Sequence, residues 1–243
     1  MRILINGLPL FSSRLAKDLK EFDASSSFIF CNTYYSIFDR IKFLILLPFT
    51  DAVISMNGVT DHSGSLDWVL RLRKKLIMQW QGTDVLLAME RMKSGTINRK
   101  YIDYAFHLTD SSWLTDEVRS LNLYPDVITF KYGNDLNVVK KYSTVKVLTY
   151  IAQNRQEFYG LTKVVFLAKK FPHIEFHVYG SSNTDFQLPE NVKLNGWAEH
   201  TEFLKLISEF PIFLRLTVHE GFPVTVIEAM STGCEVLMTM PYE

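Results

Sequence analysis

Cysteine is scarce in this sequence: 243 residues include two, Cys31 and Cys234, with no CxxC and no Cys/His cluster around them. That pattern excludes a disulfide framework and a thiolate zinc site, and both residues are expected as small buried apolar groups. Long apolar runs are missing too. The longest, Phe43 to Phe49, is interrupted by Pro48 and falls well short of the roughly 18 residues that span a bilayer. The N-terminus MRILINGLPLF lacks the ordered charged, apolar and small-residue regions of a secretory signal, so a cytoplasmic chain is expected. No Gly-x-Gly-x-x-Gly follows a strand, which sets aside a dinucleotide-dependent oxidoreductase, and there is no solenoid repeat or low-complexity tract. Neither sign of charge is in excess: 26 Lys and Arg balance 26 Asp and Glu, with no module or basic face that would mark a nucleic-acid binder. One dense cluster, RLRKK at 71–75, reads first as a solvated helix end leading into a strand and second as a patch for an anionic membrane or a phosphate.

What is present is a hydrophobic content of 47%, enough for a substantial core, arranged as short apolar runs alternating with helix-like stretches. RILIN, SFIFC, DAVISM, LIMQW, YAFHLTD and DVITF read as strands, each of the first five followed by a helical pattern, the first of them from Ser12 to Phe22 and the fifth capped by Ser111 or Ser112. The polar stretch KYGNDLNVVKKYSTVK reads as a linker, dividing the chain into domains at 1–140 and 141–243. The alternation resumes with KVLTYIA, IEFHVYG, NVKLNGW, IFLRLTV and EVLMTM. Each half is thus expected to be an α/β, doubly wound parallel sheet, a fold that binds ligands outside the carboxyl ends of its strands. Two such domains would place a cleft between them.

Residues 219–237, HEGFPVTVIEAMSTGCEVL, set Glu220 and Glu228 on either side of a helix start. Glu220 falls in the loop after a strand, and the helix is expected to begin near Pro223, whose missing N–H suits a first helical position. Gly221 permits close backbone approach. The N–H groups of Val224 and Thr225, with the helix's partial positive charge, then make a seat for a diphosphate. Glu228 lies about one turn inside, and helical side chains lean toward the N-terminus, so its carboxylate can accept from the two hydroxyls of a ribose. Glu220 faces the far side of the phosphates, where a sugar would sit.

These residues resemble the Glu-x7-Glu signature of the retaining GT-B glycosyltransferases, glycosyltransferase family 4, commonly read as EGFPxxxxEAMxxGxPV. The glycine Gly221, the aromatic Phe222, Pro223, the Ala229-Met230 pair and Gly233 coincide with it as well as the two glutamates. VLTYIAQNR, FPHIEFHVYG and NVKLNGWAEHTEFLKLI are similar to the family's course, and MQWQGTDV and HLTDSSWLTDEV more loosely so. The resemblance implies two Rossmann-like domains facing each other across a cleft, with the nucleotide sugar on the C-terminal domain and the acceptor on the N-terminal one. It implies transfer of a sugar from a nucleotide-diphosphate sugar, with retention, to a carbohydrate, lipid or protein acceptor, without a cofactor or an obligatory metal. Glu220 would contact the transferred sugar as the catalytic residue and Glu228 the ribose.

The departures from the family are specific. The usual arginine and lysine after the first donor-domain strand are replaced by Gln153 and Tyr159. Arg155, Lys163 or Arg215 are the candidate replacements, and Arg215 is preferred because its strand delivers Glu220; the competing reading is an arginine paired with a surface carboxylate. His219 is expected to touch the sugar, the alternative being a cap on the loop. On the acceptor side Gly7, Gln81 and Asp84 are candidates, with Asp84 read first as a helix N-cap. The family's helices beyond the last strand are not present before Glu243, so uncovered sheet surface would favour self-association or a partner, and the basic cluster leaves room for peripheral membrane contact. The reading from another class is a catalytically weak sugar-nucleotide-binding or scaffold protein.

Overall fold

A computed structural model of the chain describes residues 1–128 and 144–239. Residues 131–143 of the expected linker, and the last residues of the expected strands DVITF and EVLMTM, lie outside the described residues. The chain divides into two compact units on either side of the stretch 129–143.

The first unit runs β1 (Arg2–Gly7), α1 (Pro9–Phe22), β2 (Ser27–Cys31), α2 (Ile37–Leu46), β3 (Ala52–Met56), α3 (Gly64–Arg71), β4 (Lys75–Gln79), α4 (Thr83–Lys93), β5 (Phe106–Thr109), α5 (Ser112–Arg119) and β6 (Asp126–Val127). Its strands pair in the order β2-β1-β3-β4-β5-β6, every pairing parallel. The second unit runs β7 (Lys146–Tyr150), α6 (Leu161–Lys170), β8 (Glu175–Tyr179), β9 (Val192–Gly196), α7 (His200–Ile207), β10 (Ile212–Arg215), α8 (Val224–Ser231) and β11 (Glu235–Met238). Its order is β11-β10-β7-β8-β9, again all parallel.

Both sheets are covered on both faces, which is why their central strands are apolar rather than alternating. All five residues of β3 are buried. Leu4 and Val53 pack into one cluster of the first unit, and their chain neighbours Ile5 and Ile54 into another on the opposite face. In the second unit Val147 and Leu214 face one layer, and Leu148 and Phe213 the other. Chain order reverses direction at β1/β3 and at β7/β10, the switch points where such sheets open a crevice.

Two helix starts differ from expectation. The first helix begins at Pro9, not Ser12, because a proline at the first helical position has its φ already set and no N–H to leave unpaired. The last begins at Val224 with Pro223 as its N-cap, since Pro223 has an extended ψ of 123°.

One buried constellation fixes the first unit near its crevice. Trp80 is fully buried, and its indole N–H donates to His107 Nδ1 at 3.1 Å. His107 Nε2 in turn donates to the Ile102 carbonyl at 2.7 Å. A Cβ on Gly58 would fall 2.0 Å from the Trp80 ring, so this glycine makes room for the indole. Both ring nitrogens of His107 are engaged with the ring neutral, and burial holds its pKa below the ordinary 6.5. The unfolded chain therefore takes up a proton at a pH where the folded chain does not. Stability is expected to decline as pH falls from 6.5 toward the lowered folded value. Urea unfolding of wild type and His107→Gln at pH 7.5 and 5.5 checks this: the wild type should lose more stability across the interval than the variant.

Candidate donor site

The loops after β7 and β10 flank the switch point of the second sheet and are fastened to each other. The Val218 N–H donates to the Phe158 carbonyl at 2.9 Å, and Lys163 Nζ donates to the Leu216 carbonyl at 3.1 Å. Gly160 has φ +86°, and a Cβ there would stand 2.4 Å from the Leu216 oxygen, so only glycine lets the two loops close to this distance.

Arg215, at the carboxyl end of β10, is 6% exposed. Its Nε and Nη2 donate to the two carboxylate oxygens of Glu220 at 2.7 and 2.5 Å, the forked geometry that gives arginine–carboxylate pairs their strength. The Thr217 hydroxyl also donates to Glu220, at 3.1 Å. The guanidinium lies over the Tyr159 ring, 5.0 Å from its centroid. Tyr159 stands where the resembling family carries a cation, and here the Arg215 guanidinium, from β10, stacks on it. The aromatic is in turn edge-on to Tyr150.

The other cationic candidates make different contacts in the unliganded chain. Lys163 is tied to the Leu216 carbonyl as described, and Arg155 stacks over Phe158 at 3.9 Å. Gln153 Nε2 donates to the Asn183 carbonyl and its Oε1 accepts from the Ser182 N–H. Gln156 donates to the same Asn183 carbonyl and to Ser181 Oγ. Two glutamines thus hold the loop after β8 against the loop after β7. The Gln156 half of this clamp escapes sequence reading, because glutamine in a loop carries no positional signal.

Glu220 is partly exposed, whereas Gly221 and Pro223 are buried and Phe222 half-buried. His219 is buried at 8% exposure beside Glu220 in the chain. The Val226 N–H donates to the Pro223 carbonyl, so the N–H groups of Val224 and Thr225 lie ahead of the first intrahelical bond. The Thr225 hydroxyl is buried with no hydrogen-bond partner among the described residues. Glu228 is buried at 4% exposure, and its Oε1 accepts from His200 Nε2 at 2.8 Å. That bond crosses from α8 to α7, and the 28-residue separation hides it from any local pattern.

In the first unit, Gly7 (φ +123°) closes β1 against β3, a Cβ there falling 3.0 Å from the Asn57 side chain. Asn57 exchanges hydrogen bonds with the Tyr34 hydroxyl. Asp84 is not the helix N-cap; that position is Gly82. Two residues on, within the first turn, its carboxylate instead gathers the N–H groups of Gly58, Gln81, Gly82 and Val85. Burial raises its pKa while those four donors act against the rise. Gln81 is bound to it through the backbone, and the nearby Gln79 side-chain amide is buried with neither polar atom partnered among the described residues. Among the described residues no cluster of three or more His, Cys, Asp or Glu is arranged to hold a metal.

Two all-parallel sheets in one chain, each reversing its strand order at one point, make a GT-B type α/β architecture. The structural comparisons agree with it. Sucrose-phosphate synthase of Thermosynechococcus elongatus superposes with a TM-score of 0.71 at 11% identity, covering 98% of this chain and 81% of that one. HepE of Anabaena, solved with UDP and glucose, superposes with a TM-score of 0.61 at 13% identity, covering 98% and 80%. In sequence, the chain is 24% identical over 131 residues to the GtfA subunit of the UDP-N-acetylglucosamine–peptide N-acetylglucosaminyltransferase of Streptococcus pneumoniae, 49% of this chain and 26% of that protein. The match therefore spans about a quarter of the curated relative's length. No protein-family model matches the chain.

Proposed function

We propose that the second unit binds a UDP-sugar at the carboxyl ends of β7 and β10, and that the chain transfers the sugar, with retention, to an acceptor held by the first unit. The observation that carries this reading is the concentration of suitable groups at one switch point: the forked Arg215–Glu220 pair, the leading N–H groups of α8, the Thr225 hydroxyl, unpartnered among the described residues, and Glu228 one turn behind. UDP is the nucleotide of choice because it accompanies HepE in its solved structure and stands in the name of the GtfA enzyme.

In this reading the diphosphate lies against the Val224 and Thr225 N–H groups and the Thr225 hydroxyl. Arg215 turns part of its hydrogen bonding from Glu220 to a phosphate oxygen, supplying the countercharge that helix N–H groups alone do not. Glu220, released from one arm of the fork, accepts from hydroxyls of the transferred sugar and stabilises positive charge developing at its anomeric carbon. Gly221 and Phe222 shape the turn, while His219 and Arg155 flank the sugar and diphosphate. Gly7, Gln81 and Asp84 are assigned to the acceptor side, the last as the anchor of the loop backbone. No cofactor or metal takes part.

The second reading, a weakly active sugar-nucleotide-binding protein, is favoured by Gln153 and Glu228 both being engaged within the protein. Turnover separates the two. Binding is tested by a thermal-shift panel of UDP, UDP-sugars, GDP and ADP. At 100-fold excess over Kd a ligand adds about 2.7 kcal/mol, and the uridine compounds should raise Tm by about 5 °C or more. No response, or an equal response to every nucleotide, contradicts the assignment.

A further inference from the structure

Helix α2 is apolar on two opposite sides, and one of them faces solvent. Phe43 and Leu47, just past its end, are fully buried. Ile37 (61% exposed), Phe38 (80%), Ile41 (51%), Leu44 (40%) and Ile45 (63%) are not. At about 100° per residue these five fall on one arc of roughly 120°. A surface helix of a water-facing protein carries polar residues there. The arc is edged by Arg40 on one side and Lys42 on the other, both exposed, while the helix's acid, Asp39, lies on the far side and accepts from the Asn32 N–H.

Apolar exposure continues beyond the helix into a basic cluster. Phe49 is 69% exposed, and Lys74 Nζ donates to the adjacent Pro48 carbonyl. Leu44 of α2 and Trp68 of α3 line one cavity of about 460 Å³. Trp68 is 42% exposed with Arg71 stacked on it at 4.9 Å. Arg71, Arg73 and Lys75 are all exposed. Asp67, at the near end of the cluster, is held by Lys100 and the Tyr101 hydroxyl. The patch thus unites an apolar helix face, a half-exposed tryptophan and several basic groups, with its nearest acids bonded elsewhere.

We infer that this face docks the first unit on an anionic lipid bilayer, α2 lying in the plane of the interface. Aliphatic and aromatic side chains enter the acyl boundary, Trp68 sits at headgroup level, and the Arg and Lys stems reach outward to lipid phosphates. A neutral protein partner would match the apolar arc but would leave the surrounding cations without countercharge; an anionic surface satisfies both. The inference stands apart from the sugar-transfer reading, since none of these residues belongs to the donor site.

The test is flotation of the full chain with vesicles of pure phosphatidylcholine and of phosphatidylcholine with 30% phosphatidylglycerol, at low and high salt. Binding to the anionic vesicles, at least tenfold weaker to neutral ones and weakened by salt, is the expected result. Arg71→Gln with Arg73→Gln should lower partitioning about 20- to 30-fold, at roughly fivefold per charge. Phe38→Ser with Ile45→Ser should abolish it without lowering Tm, since both side chains are exposed in the folded chain. Failure to float with anionic vesicles overturns the inference, as does equal binding to neutral ones. So does light scattering that shows an oligomer which the Phe38/Ile45 variant dissociates without any vesicle binding, because the face would then join two copies of the chain.

Discussion

Glu220→Gln should lower sugar transfer by about two to three orders of magnitude while UDP binds at least as tightly as to the wild type. The two effects have one physical origin. In the unliganded protein the Glu220 carboxylate takes two hydrogen bonds from Arg215 and one from Thr217, so the most buried cation of the site is already neutralised. A glutamine cannot hold the guanidinium as an ion pair, and the released charge becomes available to the diphosphate, where a charged hydrogen bond is worth about 1.5–3 kcal/mol. In the proposed arrangement the transition state loses the carboxylate assigned to the transferred sugar, and a preorganised charge of this kind contributes a factor of about 10² to 10³. A further consequence follows from burial. Leaving Arg215 without its acid should cost the unliganded variant about 1–3 kcal/mol of stability, less than a fully buried pair because Glu220 is partly exposed, and UDP should restore most of it. Equal turnover of wild type and variant at saturating donor would remove Glu220 from the chemistry.

The second large effect is expected at Glu228. If its carboxylate accepts from both ribose hydroxyls, Glu228→Gln should raise the Kd for UDP about 10- to 100-fold and largely end discrimination between ribose and 2′-deoxyribose forms. The competing role is visible in the structure, where Glu228 is bonded to His200 across two helices. His200→Gln separates the two. Should Glu228 serve only to join α7 to α8, both variants lose stability without ligand and neither changes the preference for ribose. As a ribose reader, Glu228 keeps that preference in His200→Gln and loses it in Glu228→Gln.

The strands and their alternation with helices were legible because each apolar run is short and bounded by glycine or polar residues, and the central ones, such as β3, are buried on both sides. Every one of the expected strands has a counterpart among β1 to β11 within a few residues. Helix starts were less legible: Pro9 and Pro223 both stand at a helix start, one inside it and one as its cap, and the difference is a ψ angle that the residue type leaves open. The motif picked out Glu220, Gly221, Thr225 and Glu228 as candidates because they lie in one continuous segment. What it could not supply were pairings between segments. Arg215 was singled out as a phosphate ligand and is found forked onto Glu220; Gln156 and His200 went unnoticed because their partners lie 27 and 28 residues away. Asp84 was read as a cap from its place before an apolar run, whereas the turn after β4 folds back far enough for it to collect four N–H groups.

The central claim is that Arg215 provides the countercharge for a nucleotide diphosphate at the β7/β10 crevice, and calorimetric titration of UDP and uridine into wild type and Arg215→Ala tests it most directly. Wild type should bind UDP well above uridine, and the variant should lose about 10- to 100-fold for UDP while its affinity for uridine stays within a factor of two or so of wild type. Equal weakening of both ligands, or no weakening of either, would show that Arg215 serves only to hold Glu220 and Tyr159 in place.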